Sequence, residues 1–293
     1  MAASLQNLAR RAEIIRAARA FFEEEEFLEV ETPLLTSQPL PEANIEALEA
    51  EGGFLITSPE VFMKPLLARG AKKIFQITKC FRKDERGRAH REEFTMLEWY
   101  RVGGTCEDLK NDLRAIILRV AKKLGKSEVS WREKNCNLEA PWQMLTVSEA
   151  FSLLAAHEIP EDDFQFDEEM GRLLEPNLGI NFPAFLSEYP AKYCPMAAPC
   201  ENNPNFSERF ELYICGLEIA NGCRELANFS KQKANLLEEQ RRRQELQRRP
   251  YPDPTNFLEG MKNFPPAAGV AMGIDRLTML LLGEDSIDNV LAY

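Results

Sequence analysis

A run of cationic side chains lies between two hydrophobic stretches in the first third of the chain. Residues 81–90 read FRKDERGRAH and lead into the alternating stretch Phe94 to Arg101. Both flanking stretches have the pattern of strands, so the cations are expected in the loop that joins them. Such a loop could bind phosphates, although a hairpin with an ordinary charged turn would give the same pattern.

The second of these strands has a distinctive face. Period-two alternation places Phe94, Met96, Glu98 and Tyr100 on the same side of the strand. An aromatic ring, a carboxylate and a phenol beside a cationic loop would suit a ligand that has a flat ring, phosphates and an amine.

Three carboxylates recur among apolar neighbours further along the chain. Glu211, Glu218 and Glu225 lie in a segment that reads as a strand, a turn and a second extended run. A buried carboxylate is costly unless a cation or a hydrogen-bond donor compensates it, so a metal ion or an ammonium group is a natural partner. Carboxylates at the surface would need no such partner.

A run of small residues near the C-terminal end leads into an apolar helix. Residues 268–277 read AGVAMGIDRL, with glycine at 269 and 273 and Arg276 at the start of the helix. Glycines let the backbone approach a ligand closely, and an arginine at such a junction can reach a phosphate. Alone, this pattern is a weak indication of function.

Helices and strands that could position these residues are spread over the whole chain. Apolar residues at helical spacing predict a helix from Leu8 to Phe22, followed by a strand from Phe27 that ends at Pro33. Further strands are predicted at Phe54 to Thr57, Ile74 to Thr78, Phe94 to Arg101, Ala184 to Tyr189 and Phe210 to Cys215, and helices at Cys106 to Leu124, Val147 to Ala156 and Lys231 to Arg249. We therefore expect one α+β domain around a largely antiparallel sheet.

The composition narrows the function classes. The 293 residues carry a net charge of −11, which disfavours a protein whose main partner is nucleic acid. A cluster of arginines between Lys231 and Arg249 reads as a solvated helix face, although it could also dock a partner.

Seven cysteines without metal-site spacing indicate reduced thiols. No apolar stretch approaches the ~20 residues of a membrane helix, and no signal peptide is evident, so a cytoplasmic protein is expected.

The set of segments resembles the three signature motifs of class II aminoacyl-tRNA synthetases, in the correct order over essentially the whole chain. Phe27 to Pro33 resembles the first motif, residues 81–94 the second, and Gly269 to Arg276 the third. Residues 57–60 (TSPE), 94–100 (FTMLEWY) and 218–222 (EIANG) are similar to the lysyl-tRNA synthetase branch, especially its short paralogues that ligate lysine to elongation factor P. The resemblance implies a homodimer.

The resemblance implies a set of ATP contacts. Arg82 would hold the α-phosphate and the attacking carboxylate, and Arg276 the γ-phosphate. Phe94 and Arg276 would enclose the adenine. The remaining implied ligands are Asp84 for the adenine amine, His90 for a distal phosphate, and Glu211 and Glu218 for Mg²⁺. Activation would then proceed by positioning and charge neutralisation, without a covalent enzyme intermediate.

The resemblance also implies an amino-acid site with two acidic ends. Ser58, Glu60 and Glu98 would meet the amine near the carboxylate, Asn221 the carboxylate region, and Tyr100 with Glu225 the distal ammonium. An uncharged side chain would leave a buried carboxylate unpaired, so lysine or β-lysine is expected as the substrate.

Several positions depart from the lysyl-tRNA synthetase pattern. Ala271 stands where a glycine is usual, which weakens the case for ordinary α-lysine, and Cys223 and Arg224 change the packing near the substrate. Asp84 replaces the more frequent Glu, a mild change.

The first motif begins so close to Met1 that no N-terminal anticodon-binding domain is expected. Together with the acidic composition, this favours a lysine of elongation factor P as the acceptor and makes tRNA unlikely. The alternatives are a truncated synthetase core that charges tRNA and a non-catalytic, synthetase-like binding subunit.

Overall fold

An eight-stranded sheet forms the centre of the computed structural model, which describes residues 3–292. Its strands lie in the order β1-β5-β6-β13-β12-β11-β10-β9. Their bounds are β1 Leu28–Glu29, β5 Lys73–Phe81, β6 Glu93–Val102, β9 Gln143–Thr146, β10 Ala184–Pro190, β11 Phe206–Ile214, β12 Leu217–Arg224 and β13 Ala267–Gly273. The remaining strands are β2 Leu35–Thr36, β3 Glu49–Ala50 and β4 Gly53–Leu55 in a small sheet, and the hairpin β7 Glu128–Trp131 with β8 Lys134–Asn137.

The pairing within the large sheet is mostly antiparallel. Only the two outermost pairs, β1 with β5 and β10 with β9, run parallel, and the five inner pairs are antiparallel. The predicted fold class, α+β around a largely antiparallel sheet, is therefore confirmed.

Helices flank this sheet. They are α1 Leu5–Glu24, α2 Glu60–Ala68, α3 Cys106–Lys123, α4 Val147–Ala150, α5 Asp163–Glu169, α6 Phe229–Glu245, α7 Thr255–Gly260 and α8 Ile274–Leu282. Side chains cap the longest of them: Ser4 accepts from the backbone N–H of Asn7 at the start of α1, and Thr105 and Asp108 form a capping box at α3. No helix in the described part of the chain is long and apolar enough to cross a membrane.

The two faces of the sheet have different environments. On one face, α1, α3 and α8 bury Leu97 and Trp99 of β6 together with Val270 and Met272 of β13. The stacked rings of Phe22 and Phe75, with centroids 4.4 Å apart, belong to the same core. Because side chains alternate along a strand, the other residues of β6 and β13 point to the opposite face, where a cavity opens.

Several predicted elements differ from the structure. Only Leu28–Glu29 of the stretch from Phe27 to Pro33 pairs as a strand, followed by one further hydrogen bond from the Val30 N–H to the Phe75 carbonyl. The helix predicted from Val147 to Ala156 begins at Val147, where Thr146 and Glu149 form a capping box, and continues after Ala150 as a single π-helical segment, Phe151–Ala155.

The basic helix is not simply a solvated face. Arg243 is fully buried and donates to the backbone carbonyls of Glu42 and Ile45, both at 2.8 Å, and to the Glu46 carboxylate at 2.7 Å. Helix α6 therefore holds the loop before β3 in place, and that loop lines the cavity. The seven thiols are unpaired, as the sequence indicates.

Candidate active site

The cavity has a volume of about 550 Å³, and the register of the inner strands builds its floor. Glu98 of β6 lies opposite Ala271 of β13, which lies opposite Asn221 of β12, and Asn221 lies opposite Glu211 of β11. A second row runs from Tyr100 through Gly269 and Cys223 to Arg209. The structure thus brings together predicted residues from β6, β13 and the β11–β12 hairpin, three parts of the chain that are distant in sequence.

Gly269 leaves room for the ring of Tyr100. A Cβ atom at residue 269 would lie 2.3 Å from Cε1 of Tyr100 and 2.9 Å from Oε1 of Glu225. Only a residue without a side chain is compatible with this arrangement, so the glycine shapes the end of the cavity where Tyr100 and Glu225 meet.

A change of register in the β11–β12 hairpin directs Glu218 into the cavity. Glu211 pairs with Asn221 and Leu212 with Ala220, but Tyr213 pairs with Glu218, so β12 contains one extra residue there. Regular alternation would place Glu218 and Asn221 on opposite faces, whereas both line the cavity. The bulge is the physical reason that these two residues belong to one site.

One end of the cavity is cationic. The guanidinium of Arg82 lies 5.2 Å from the ring centroid of Phe94, and its Nε donates to the carbonyl of Thr57 at 3.4 Å. Arg276, in the first turn of α8, donates through Nη1 to the backbone carbonyl of Glu218 at 2.8 Å and to its carboxylate at 3.2 Å. Two arginines and an aromatic ring could therefore bind a nucleotide with its phosphates.

His90 and Asp84, both predicted to contact ATP, lie in different surroundings. His90 lines the cavity and contacts Nη2 of Arg276; burial, and then the charge of Arg276, lowers its pKa, so the ring is neutral at pH 7. Asp84 is exposed outside the cavity, in a turn with φ of 65°, where its backbone N–H donates to Glu92. In the structure, this turn does not place Asp84 next to the other predicted site residues.

Glu211 and Glu218 differ as ligands for a metal ion. Glu211 is 7% exposed, and its carboxylate accepts from the hydroxyls of Tyr189 and Tyr213, from Arg209 and, at 3.0 Å, from Asn221. Four donors already occupy its oxygens, so Glu211 does not fit as a Mg²⁺ ligand in this arrangement.

Glu218 fits better, because among the described residues only Arg276 contacts its carboxylate. Glu175 also lines the cavity, and burial followed by repulsion from Glu211 raises its pKa to about 7. No group of three or more acidic, histidine or cysteine side chains within residues 3–292 could hold a metal alone, so nucleotide phosphates would have to complete the coordination.

The other end of the cavity is acidic and closely hydrogen-bonded. Glu98 is 2% exposed and accepts from Ser58 Oγ at 2.7 Å and from the hydroxyl of Tyr100 at 2.6 Å. Burial raises the pKa of Glu98 to about 7, and the charge of Glu60 adds to the effect. Burial and then Glu60 likewise raise the pKa of Glu42, in the loop held by α6, to about 7.

Sequence reasoning missed a cation inside this acidic end. Lys64 is 2% exposed, and its Nζ lies 2.7 Å from Glu60 Oε2 and 2.9 Å from Glu225 Oε2. The spacing of Glu60 and Lys64, four residues apart in a helix, was a signal that could have found the pair. Cys223 lines the same part of the cavity, whereas Arg224 faces away and pairs with Glu208 at 2.7 Å.

Comparisons with known proteins show the family of the chain. Residues 2–293 match the family model described as tRNA synthetases class II (D, K and N). A protein of Vibrio atlanticus, named elongation factor P–(R)-β-lysine ligase, is 34% identical over 100% of this chain and 96% of its own length. Proteins of the same name from Vibrio cholerae and Pectobacterium atrosepticum are 35% and 34% identical, each over 99% of this chain, covering 96% and 95% of their own lengths.

Proposed function

The chain belongs to the class II tRNA synthetases of the aspartate, lysine and asparagine group, and we propose that it is an AMP-forming ligase that activates β-lysine or lysine with ATP and transfers it to a lysine side chain of elongation factor P. The observation that carries the proposal is one cavity with a cationic end, at Arg82 and Arg276, and an acidic end, at Glu98 and Glu225. The negative charge of a triphosphate complements the cationic end, and the ammonium groups of a diamino acid complement the acidic end.

The first half-reaction follows from these positions. Arg82 binds both the α-phosphate and the carboxylate of the amino acid, so it holds the attacking oxygen next to phosphorus. Phe94 contacts the adenine, and Arg276 holds the distal phosphates. The carboxylate oxygen forms a bond to the α-phosphorus, and pyrophosphate leaves with the electron pair of the broken P–O bond. Catalysis is then positioning and charge neutralisation.

Mg²⁺ accompanies ATP in this proposal, with Glu218 as the protein ligand that fits it. The ion would neutralise charge on the phosphates when bound. Glu211 would serve instead to orient Asn221, which donates a hydrogen bond to its carboxylate.

The acidic end selects a diamino acid. The side chains of Glu98 and Glu225 are buried, and that of Glu60 is partly buried. Burial makes a carboxylate charge costly, and an incoming ammonium group compensates that cost. The methyl group of Ala271 lies between Glu98 and Asn221 in the floor, where it narrows the space next to the amine-binding carboxylate. This supports the β isomer, named in the relatives, as the substrate.

A protein lysine is the acceptor in this proposal. The relatives named elongation factor P–(R)-β-lysine ligase align with nearly the whole of this chain. The amine of the acceptor would attack the carbonyl carbon of the adenylate, form an amide bond and release AMP. We further propose that the protein works as a homodimer in the cytoplasm. A truncated core that charges tRNA and a non-catalytic binding subunit are the less favoured alternatives.

ATP–pyrophosphate exchange with β-lysine and lysine tests the first half-reaction. We expect exchange with a diamino acid and its loss in Arg82→Ala by at least about a hundredfold, because the α-phosphate and the carboxylate lose their shared cation. Unchanged exchange in Arg82→Ala would refute the mechanism, and no exchange with any amino acid would leave the binding-protein alternative. Transfer assays that offer elongation factor P or tRNA to the charged enzyme then identify the acceptor.

A further inference from the structure

Lys64 is a buried cation that the proposed chemistry does not use. It lies on α2 among apolar neighbours, with Val61, Met63 and Leu67 of the same helix buried. A lysine buried in this way is costly unless its ammonium is paired, and here it is paired twice, with Glu60 at 2.7 Å and with Glu225 at 2.9 Å.

The charged and titratable groups around Lys64 come from several elements. They are Glu60 on α2, Glu98 on β6, Cys223 on β12, Glu225 directly after it, and Glu42 in the loop held by α6. Four of these five groups are carboxylates. Despite burial, which alone would lower it, the pKa of Lys64 is raised well above its usual value by Glu225 and then Glu60, so the side chain stays charged.

We infer that Lys64 is a positioning residue for the amino acid, which holds the carboxylates of Glu60 and Glu225 at a fixed separation and so sets the distance between the two ammonium groups that the site accepts. This rests on the proposed function, in which Glu60 meets one amine and Glu225 the other.

The geometry of the two salt bridges supports this role. Both use Oε2 of the carboxylate, so Lys64 leaves Oε1 of Glu60 and of Glu225 for other partners. Oε1 of Glu225 lies beside Gly269 and Tyr100, at the floor of the cavity. Moving an amine from the α to the β carbon changes the distance between the two ammonium groups of the substrate, and a rigid pair of carboxylates discriminates between such isomers.

Loss of Lys64 would change both charge and spacing. Without Lys64, the buried carboxyl of Glu225, whose pKa burial already raises, would bind a proton more readily. A neutral carboxyl binds an ammonium group weakly. Removal of the positive charge of Lys64 would therefore weaken substrate binding at neutral pH. Charge repulsion alone predicts the opposite, because the substrate ammonium and the Lys64 ammonium repel each other.

The test compares Lys64→Met with Lys64→Arg by ATP–pyrophosphate exchange. For Lys64→Met we expect the KM for the preferred diamino acid to rise by about tenfold or more at pH ~7, with the KM for ATP within about twofold of the wild type. The penalty should shrink as pH rises from about 6 to about 8.5, because the carboxyl of Glu225, whose pKa burial raises, then ionises. Discrimination between lysine, β-lysine and the shorter ornithine should fall. Lys64→Arg keeps the positive charge but not the shape of lysine. Its pH dependence should therefore resemble that of the wild type, whereas its discrimination between the substrates should remain lower.

A matched control separates positioning from loss of a buried ion pair. Arg101, 2.6 Å from Asp112, lies on the opposite face of β6, so Arg101→Met removes a similar pair without touching the cavity. We expect Arg101→Met to lower thermal stability but to leave the KM for the amino acid unchanged. An unchanged KM, discrimination and pH profile in folded Lys64→Met would overturn the inference, whereas failure of the wild type to activate any diamino acid would overturn the proposed function instead.

Discussion

Glu98 links the protonation state of the acidic end to substrate binding. Burial raises its pKa to about 7 in the free protein, and an ammonium group binds its ionised form. Because the bound cation favours the charged carboxylate, substrate affinity increases as pH rises through about 7 and decreases below it.

We expect the KM for the diamino acid to fall between pH ~6 and ~8, with little change in the KM for ATP. Glu98→Gln should raise the amino-acid KM by at least about tenfold and flatten this pH dependence, leaving the part contributed by Glu42, whose pKa is also about 7. Steady-state exchange kinetics at several pH values provide the measurement. If the amino-acid KM of Glu98→Gln changed with pH as steeply as that of the wild type, a group other than Glu98 would be responsible for the pH dependence.

Residue types indicated many of the cavity side chains, but not their partners. Alternation correctly placed Phe94, Met96, Glu98 and Tyr100 on one face. Lys64 escaped notice because a lysine in the exposed turn of a short helix has the same sequence pattern as one that is buried. Burial depends on α2 packing over the sheet, which no local pattern contains.

At the scale of elements, the close approach of two strands determines the shape of the amino-acid end. Gly269 of β13 lies under the ring of Tyr100 of β6, and a Cβ atom at residue 269 would be 2.4 Å from Cδ1 as well as close to Cε1. Overpacking of this kind forces a side chain or the backbone to move.

Gly269→Ala should therefore lower stability by about 1 to 3 kcal/mol and raise the KM for the amino acid, because Tyr100 must leave its position next to Glu98. Urea unfolding and exchange kinetics measure the two effects. Gly171→Ala is the matched control, since a Cβ there would meet no atom within 4 Å; it should leave the KM unchanged and should not lower stability, because alanine is favoured over glycine in a helical segment. Equal behaviour of the two variants would contradict the close packing at residue 269.

Sequence periodicity predicted the main helices and strands but not their irregularities. The strands around Phe94 and Ala184 lie within one residue of their predicted bounds, whereas the strand around Phe210 begins four residues earlier than predicted, at Phe206. The bulge opposite Leu212 and Tyr213 was not predicted, because a single extra residue leaves no signal in a pattern of alternation. Without it, Glu218 would point into the core.

At the scale of the whole molecule, exposed leucines on the edge strand of the large sheet and shortly after it support the proposed dimer. Leu28 of β1 is 61% exposed, and Leu34 and Leu35, which follow it, are 40% and 41% exposed. The short edge strand leaves backbone groups available for pairing with a second copy.

We expect the wild type to be a dimer and the double variant Leu28→Glu with Leu35→Glu to be a monomer, because two charges would have to be buried in the interface. Gel filtration with light scattering measures the mass. Leu153→Glu, at a residue 65% exposed elsewhere on the surface, is the control and should remain dimeric. A monomeric wild type would exclude this assembly at the concentration measured.

The strand order has a consequence for the timing of folding during synthesis. β13 lies between β6 and β12, although β6 ends at Val102 and β13 begins at Ala267. Because the ribosome adds on the order of 5 to 20 residues per second, the inner edge of β6 remains unpaired for roughly ten to thirty seconds. A nascent chain that stalls before Ala267 therefore exposes a strand edge with unpaired backbone groups. We expect chaperones that bind extended apolar segments to recognise this protein best at that stage.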